Sequence, residues 1–181
     1  MREHPSVGAF SYSRSFEELI EAICAPKREW PNYRKYVADH LGSPLGRYVR
    51  FKLETLPEIE YHCGSLSSCE VLDFGCGTGS TTAALAERAQ AVVAYDIDER
   101  RIAIARRRLQ EHGLQERVTF VFDTPFQCRV DVAVLNGVIE HIPDSQPGLR
   151  EAVLSHVAEA VRPEGFIFMP LRETVWVLLS F

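Results

Sequence analysis

A short apolar run, Val71-Leu-Asp-Phe74, opens directly into Gly75-Cys-Gly-Thr-Gly79 and then into the helix-forming stretch Ser80–Ala89. Glycine at three alternate positions permits a tight turn and lets the backbone approach a ligand closely. A strand, a glycine turn and a helix in that order begin a βαβ unit, and open α/β sheets bind ligands at the carboxyl ends of such strands. The rest of the chain repeats the alternation. Ala91–Tyr95, Val118–Phe122, Val132–Leu135 and Phe166–Met169 are short, β-branched or aromatic runs, as buried parallel strands require. Glu99–His112 and Leu149–Val161 are helical in period. The expected fold class is therefore α/β, with a doubly wound, mostly parallel sheet.

Roughly the first 65 residues read differently, as helices. Ser15-Phe-Glu-Glu18 has the spacing of a capping box, predicting a helix over about 16–24 that stops before Pro26. Pro31 suits the first turn of a second helix ending near Leu41-Gly42. Ser43-Pro44 then opens a third over about 45–55, and Pro57 and Gly64 break the chain. We read residues 1–65 as a helical cap that does not fold independently, and 66–181 as the core.

Composition narrows the function classes. At 46% hydrophobic and 25% charged residues, the chain has ordinary globular character, which excludes a disordered tail. The net charge of −5 argues against a broad basic face, so a nucleic-acid partner is not expected. Arg100, Arg101 and Arg106-Arg107-Arg108 on the predicted helix Glu99–His112 are either a solvated face or a local phosphate contact; flanking Glu99 and Glu111 favour the former. The five cysteines, Cys24, Cys63, Cys69, Cys76 and Cys128, show no Cys-x-x-Cys pair, which points to a reducing compartment. The N-terminus lacks an apolar signal region, and Val175–Leu179 is too short to span a bilayer. A cytoplasmic protein without membrane contact is the expectation.

The glycine triplet alone is weak evidence. A dinucleotide fingerprint needs glycine at position 80, which is Ser80, and a P-loop needs a lysine that is absent. A nucleotide-binding oxidoreductase is opposed on the same ground and by Asp73. Together with its strand and Asp73, however, Val-Leu-Asp-Phe-Gly-Cys-Gly-Thr-Gly resembles the first motif of the class I S-adenosylmethionine-dependent methyltransferases. The resemblance spans about residues 70–170. It implies a Rossmann-like sheet of order 3-2-1-4-5 and S-adenosyl-L-methionine as cofactor. Asp73, Gly75, Cys76, Gly77 and Gly79 fall on the loop that holds it, Cys76 by its backbone and not as a nucleophile. Asp96 in Ala94-Tyr-Asp-Ile-Asp98, 21 residues after Gly75, takes the place of the acid that grips the ribose hydroxyls, with Ile97 beside it. A carboxylate can accept from both hydroxyls at once. Asp123 in Val121-Phe-Asp-Thr124 matches the residue that meets the adenine amino group, or is a turn residue before Pro125. Asn136 either lines the cofactor or ties down its loop. Val161-Arg-Pro-Glu-Gly-Phe166 is similar to the family's "leucine-lysine-proline-glycine-glycine" turn into the fifth strand.

The resemblance implies methyl transfer to oxygen or nitrogen of a small-molecule acceptor. His141, in Asn136-Gly-Val-Ile-Glu-His141, is the candidate catalytic base, its alternative being a structural hydrogen bond. Two subfamilies, the quinone-pathway O-methyltransferases and the small-RNA 3′-terminal methyltransferases, hold a divalent metal here with Glu-x-x-Glu-His, but Gly137 stands where they carry the first glutamate. No metal is expected and neither subfamily is implied. Trp30, Tyr33, Tyr36 and Arg47 are either part of a substrate lid or packing residues.

Two features depart from the family. Only Asp123–Val130 separates the third and fourth strands. In the order 3-2-1-4-5 this link crosses about 14 Å of sheet; eight extended residues reach roughly 27 Å. That predicts an extended link without a crossover helix and an incompletely covered sheet face. Beyond the fifth strand, Glu173–Phe181 has room for one strand or part of a helix, so the usual C-terminal antiparallel strand pair is expected to be absent or incomplete, and the core truncated. Its apolar residues either dock on the sheet edge or offer a homodimer contact. The alternative to an enzyme is a shortened, non-catalytic cofactor-binding or interaction protein derived from the same fold.

Overall fold

In a computed structural model, the structure describes residues 10–41, 46–122, 128–143, 145–146, 148–171 and 175–180, the last two stretches by backbone alone from 170 onward. The sheet has six strands in the order β3-β2-β1-β4-β5-β6. The strands are β1 (Glu70–Phe74), β2 (Ala91–Tyr95), β3 (Val118–Val121), β4 (Val130–Val134), β5 (Val161–Leu171) and β6 (Val175–Ser180). The first five are parallel; β6 turns back and pairs antiparallel with β5. The C-terminal segment thus supplies one antiparallel strand where the pair was expected to be incomplete.

Periodicity explains the layers. Val71, Val92, Val132, Val134 and Phe168 point to one face, under α5 (Ser80–Ala86) and Leu109 of α6 (Glu99–Glu111). Leu72, Phe74, Ala133, Ile167 and Met169 point to the other, under Val157 and Ala160 of α7 (Leu149–Ala160). On this second face Val93 and Val121 are only partly buried, and among the described residues no helix lies between β3 and β4. Of the link itself, 123–127 lies outside the described residues.

The N-terminal helices follow the expected order with altered boundaries. Helix α1 (Arg14–Cys24) starts earlier than the capping box implies: Ser13, not Ser15, is the cap, accepting from Phe16 N at 3.3 Å. Helix α2 spans Tyr33–His40. The Ser43-Pro44 start lies outside the described residues. From Arg47 the chain stays helical through α3 (Arg47–Arg50), a π-helical turn Phe51–Thr55 and α4 (Leu56–Cys63). Pro57 therefore does not break this stretch. It sits in the first turn of α4, directly after the wider π turn, where a missing N–H costs least. Gly64, at φ 79°, ends it. Tyr48, Val49, Phe51, Leu56 and Ile59 of this run share a core with Val71 and Val92, which seats the helices directly on the sheet.

Candidate cofactor site

Parallel strands bring their carboxyl ends to one edge. Asp73 stands beside Ala94 and Val134, so the loops after β1, β2 and β4 meet there. Gly75, Gly77 and Gly79 all have positive φ, at 78°, 55° and 80°. The N–H groups of Gly75 and Cys76 both donate to Tyr95 O at 2.8 Å, which folds the loop onto the end of β2. Each outer glycine also permits a close approach. A Cβ at Gly75 would lie 2.5 Å from Val138 Cγ2, and one at Gly79 would lie 2.8 Å from Ala105 Cβ. A Cβ at Gly77 would meet nothing within 4 Å, so open space lies above the middle of the loop.

The acids hold this loop in shape. Asp96 is buried at the end of β2; its carboxylate accepts from Gly77 N at 2.8 Å and Asp98 N at 2.9 Å. Two backbone donors leave lone pairs on each oxygen for a ligand hydroxyl. Ile97 next to it is 84% exposed, a bare apolar surface at the site's edge. Asp73 is buried beneath the loop and accepts from Thr82 Oγ1 at 2.6 Å. Burial, opposed by the Thr82 bond and reinforced by the charge of Asp96, pushes its pKa up to about 7. Cys76 turns its side chain away, against Ala94 and Ile102; burial first, then Asp73 and Asp96, push its thiol pKa up, consistent with a residue that is no nucleophile.

The segment after β4 completes the edge. Asn136 donates from Nδ2 to Thr81 Oγ1 at 3.1 Å, tying its loop to α5. Val138 packs on Gly75, and a 3-10 turn Ile139–His141 follows with His141 exposed at the mouth. Gly137 has φ 74°, a conformation in which a glutamate is strained. Asp123 lies outside the described residues.

Sequence reasoning missed one functional group. Arg108, read as part of a solvated face, is fully buried. Nε donates to Thr78 O at 2.7 Å, Nη2 to His40 O at 2.7 Å, and Nη1 to the Tyr12 hydroxyl. The signal was present: Arg108 follows the buried Ile104 and Ala105 by four and three residues, on the inward face of α6. Trp30, Tyr33 and Tyr36, read as lid or packing residues, lie in the same quarter. Lys27 Nζ stands 4.5 Å from the Trp30 ring and 4.3 Å from the Tyr36 ring, while Tyr33 and Tyr36 pack on the core of α1 and α2.

Loops meeting at the carboxyl ends of parallel strands are where open α/β domains bind their ligands. The chain belongs to the class I S-adenosylmethionine-dependent methyltransferases: the family described as "Methyltransferase domain" matches residues 72–167, over half its length. It is 31% identical to the ubiquinone biosynthesis O-methyltransferase of Idiomarina loihiensis over 84% of this chain and 58% of that protein. With the enzyme of the same name from Leptothrix cholodnii it shares 30% identity over 61% of this chain and 47% of that protein. The chain thus spans about half the length of the curated relatives it matches. A solved S-adenosylmethionine-dependent methyltransferase from Clostridium acetobutylicum superposes with a TM-score of 0.57 at 18% identity, covering 67% of this chain and 49% of that one. It shares the fold.

S-adenosylmethionine is the cofactor that family and fold imply, and the residues present fit it. The open space above Gly77 admits a ligand against the backbone. Two buried polar atoms beside the loop, Ser80 Oγ and His40 Nε2, have no hydrogen-bond partner among the described residues. No helix among the described residues is long and apolar enough to cross a membrane.

Proposed function

We propose that this chain binds S-adenosylmethionine at the edge formed by Gly75–Gly79, Asp96, Ile97 and Asn136, with Asp123 as a further cofactor contact, and transfers its methyl group to oxygen of a small-molecule acceptor. The observation that carries the reading is the loop itself: three glycines at positive φ, with Asp96 holding Gly77 N–H beneath an open space. The choice of oxygen rests on the relatives named for O-methylation in ubiquinone biosynthesis.

The cofactor supplies a methyl group already electrophilic on a sulfonium. The protein's part is to orient and to exclude water, which supplies roughly 7–11 kcal/mol of barrier reduction in favourable cases. Asp96 accepts the ribose hydroxyls on its remaining lone pairs, and Ile97 packs against the adenine. An acceptor hydroxyl must lose its proton as the oxygen attacks; His141, at the mouth, takes it on an imidazole nitrogen. Residues 1–65 act with the core as one unit, in a cytoplasmic setting, with a small molecule rather than nucleic acid as acceptor. Self-association through the C-terminal strand belongs to the same reading.

Calorimetric titration with S-adenosylmethionine, followed by methyl transfer to a panel of phenols and alcohols, tests it. Saturable binding and a methylated product are expected, with His141→Ala lowering turnover and sparing binding. A folded protein that binds no cofactor refutes the reading. Binding without transfer to any acceptor returns the chain to the non-catalytic class.

A further inference from the structure

Thr78, the residue between the last two glycines of the loop, is held from both sides by groups outside the loop. Its carbonyl accepts from Arg108 Nε at 2.7 Å. Its hydroxyl and His40 Nδ1 share a hydrogen bond at 3.1 Å. His40 is the last residue of α2, and its own carbonyl accepts from Arg108 Nη2 at 2.7 Å. Arg108 also donates to Tyr12, just before α1, and its guanidinium lies 5.0 Å from the Tyr12 ring and 5.1 Å from that of Phe16. One buried cation thus joins α1, the end of α2 and the glycine loop through two carbonyls and a hydroxyl. A buried cation is retained only where its donors are satisfied, and three acceptors in fixed directions match the planar fork of arginine rather than a lysine point charge.

We propose that Arg108 and His40 are positioning residues of the cofactor site: they pin Thr78, and with it the conformation of Gly77–Ser80, to the N-terminal helices. This rests on the proposed cofactor reading, and it makes the N-terminal helices a part of that site. The neutral imidazole is suited to the task. Burial, aided by Arg47, Arg108, Lys27 and Arg101, holds the His40 pKa down to about 3, so the contact with Thr78 persists across the physiological range. Asp96 fixes Gly77 from the sheet side and the Arg108–His40 pair fixes Thr78 from the helix side. Neighbouring residues of one short loop are therefore held by two independent elements.

The test uses the full chain and three variants. His40→Phe keeps the ring that packs edge-on to Tyr36 but loses the bond to Thr78. Thr78→Val removes the same bond from the other side, and Arg108→Lys puts all its donors on one nitrogen, which cannot span three separated acceptors. In each folded variant, amide hydrogen exchange at Gly77–Thr82 of the cofactor-free protein should speed up, by about tenfold for one lost bond. The dissociation constant for S-adenosylmethionine should rise by a similar factor, with the kinetic loss falling on KM for the cofactor more than on kcat. His40→Phe and Thr78→Val combined should cost no more than either alone. Unchanged exchange in the loop of His40→Phe and Thr78→Val overturns the proposal, as does faster exchange with unchanged cofactor affinity. If the parent chain binds no cofactor, the cofactor reading fails by itself, and loop exchange still decides whether the pin exists.

Discussion

The carboxylate of Asp96 accepts the backbone N–H of Gly77 at 2.8 Å, so the acid at the end of β2 braces the loop that follows β1. Asp96 therefore has two tasks, one toward the loop and one toward the ligand. Asp96→Ala should remove both. It leaves the N–H groups of Gly77 and Asp98 without their acceptor, at about 1–3 kcal/mol of stability, and should weaken cofactor binding by about ten- to a hundredfold. Asp96→Asn keeps one acceptor oxygen and should recover part of the stability while binding stays impaired. Chemical denaturation and calorimetry on the same samples separate the two; intact affinity in Asp96→Ala would remove Asp96 from the ligand site.

Asp73 makes stability depend on pH in an unusual direction. Its folded pKa of about 7 lies above the ordinary 3.8, because burial outweighs the Thr82 bond. Between these values the folded state binds the extra proton, so this group's contribution to stability falls as pH rises from about 4 to about 7, by a few kcal/mol in all. Above that window the penalty is constant. Asp73→Asn should abolish the dependence, so the melting temperature of the variant minus that of the parent grows from pH 4 to pH 7 and then levels off. A difference that stays flat across this range would show that Asp73 is charged in the fold throughout.

The irregular first half of β5 contains a testable strain. Among the described residues Glu164 is the one non-glycine with positive φ, at 67°. Gly165 beside it is required for a different reason: a Cβ there would lie 2.5 Å from Val161 Cγ1 and 2.7 Å from Asp131 O. The family's turn has glycine at both positions, and this chain keeps only the one needed for close approach. A left-handed residue costs about 1–2 kcal/mol and glycine's unfolded-state entropy returns about half of that. Glu164→Gly should thus stabilise by about 0.5–1 kcal/mol, or a rise of about 1–4 °C in Tm. A lower Tm would mean that the Glu164 side chain contributes more than the strain it carries.

What was legible in the sequence was what short-range pattern controls. Ala91–Tyr95 has the bounds that its apolar run implies, and α6 differs from its periodic stretch by one residue. The glycine loop was legible because left-handed backbone, joined by close packing at Gly75 and Gly79, leaves only one residue type for its three key positions. Pro57 was misread because a π-helical turn absorbs it, and nothing in the local sequence announces that turn. Arg108 was misread because charge outweighed position: its burial depends on acceptors at Tyr12, His40 and Thr78, up to 96 residues away. Ser13 displaced Ser15 as the α1 cap for a related reason, since Glu111 of α6 accepts from both its N–H and its hydroxyl. For Arg108 and Ser13 alike, a long-range partner decided between local options.

Gly77 and Gly79 should respond differently to alanine, because they are glycine for different reasons. At Gly77 only the backbone objects: φ is 55°, and the new Cβ would meet nothing within 4 Å. Gly77→Ala should cost about 1–2 kcal/mol of stability. At Gly79 the same strain is joined by a collision, since Cβ would stand 2.8 Å from Ala105 Cβ and 2.9 Å from its Cα, with α5 pressed on α6. Overpacking adds about 1–3 kcal/mol, so Gly79→Ala should be the more destabilising of the two. Cofactor affinity should rank the other way for protein that remains folded. The methyl group at 77 enters the open space assigned to the ligand, whereas the one at 79 is spent against α6 on the protein side. Urea denaturation and S-adenosylmethionine titration of both variants give the two rankings. If Gly77→Ala binds as tightly as the parent, the space above Gly77 is not where the cofactor lies, and the loop's open middle needs another occupant.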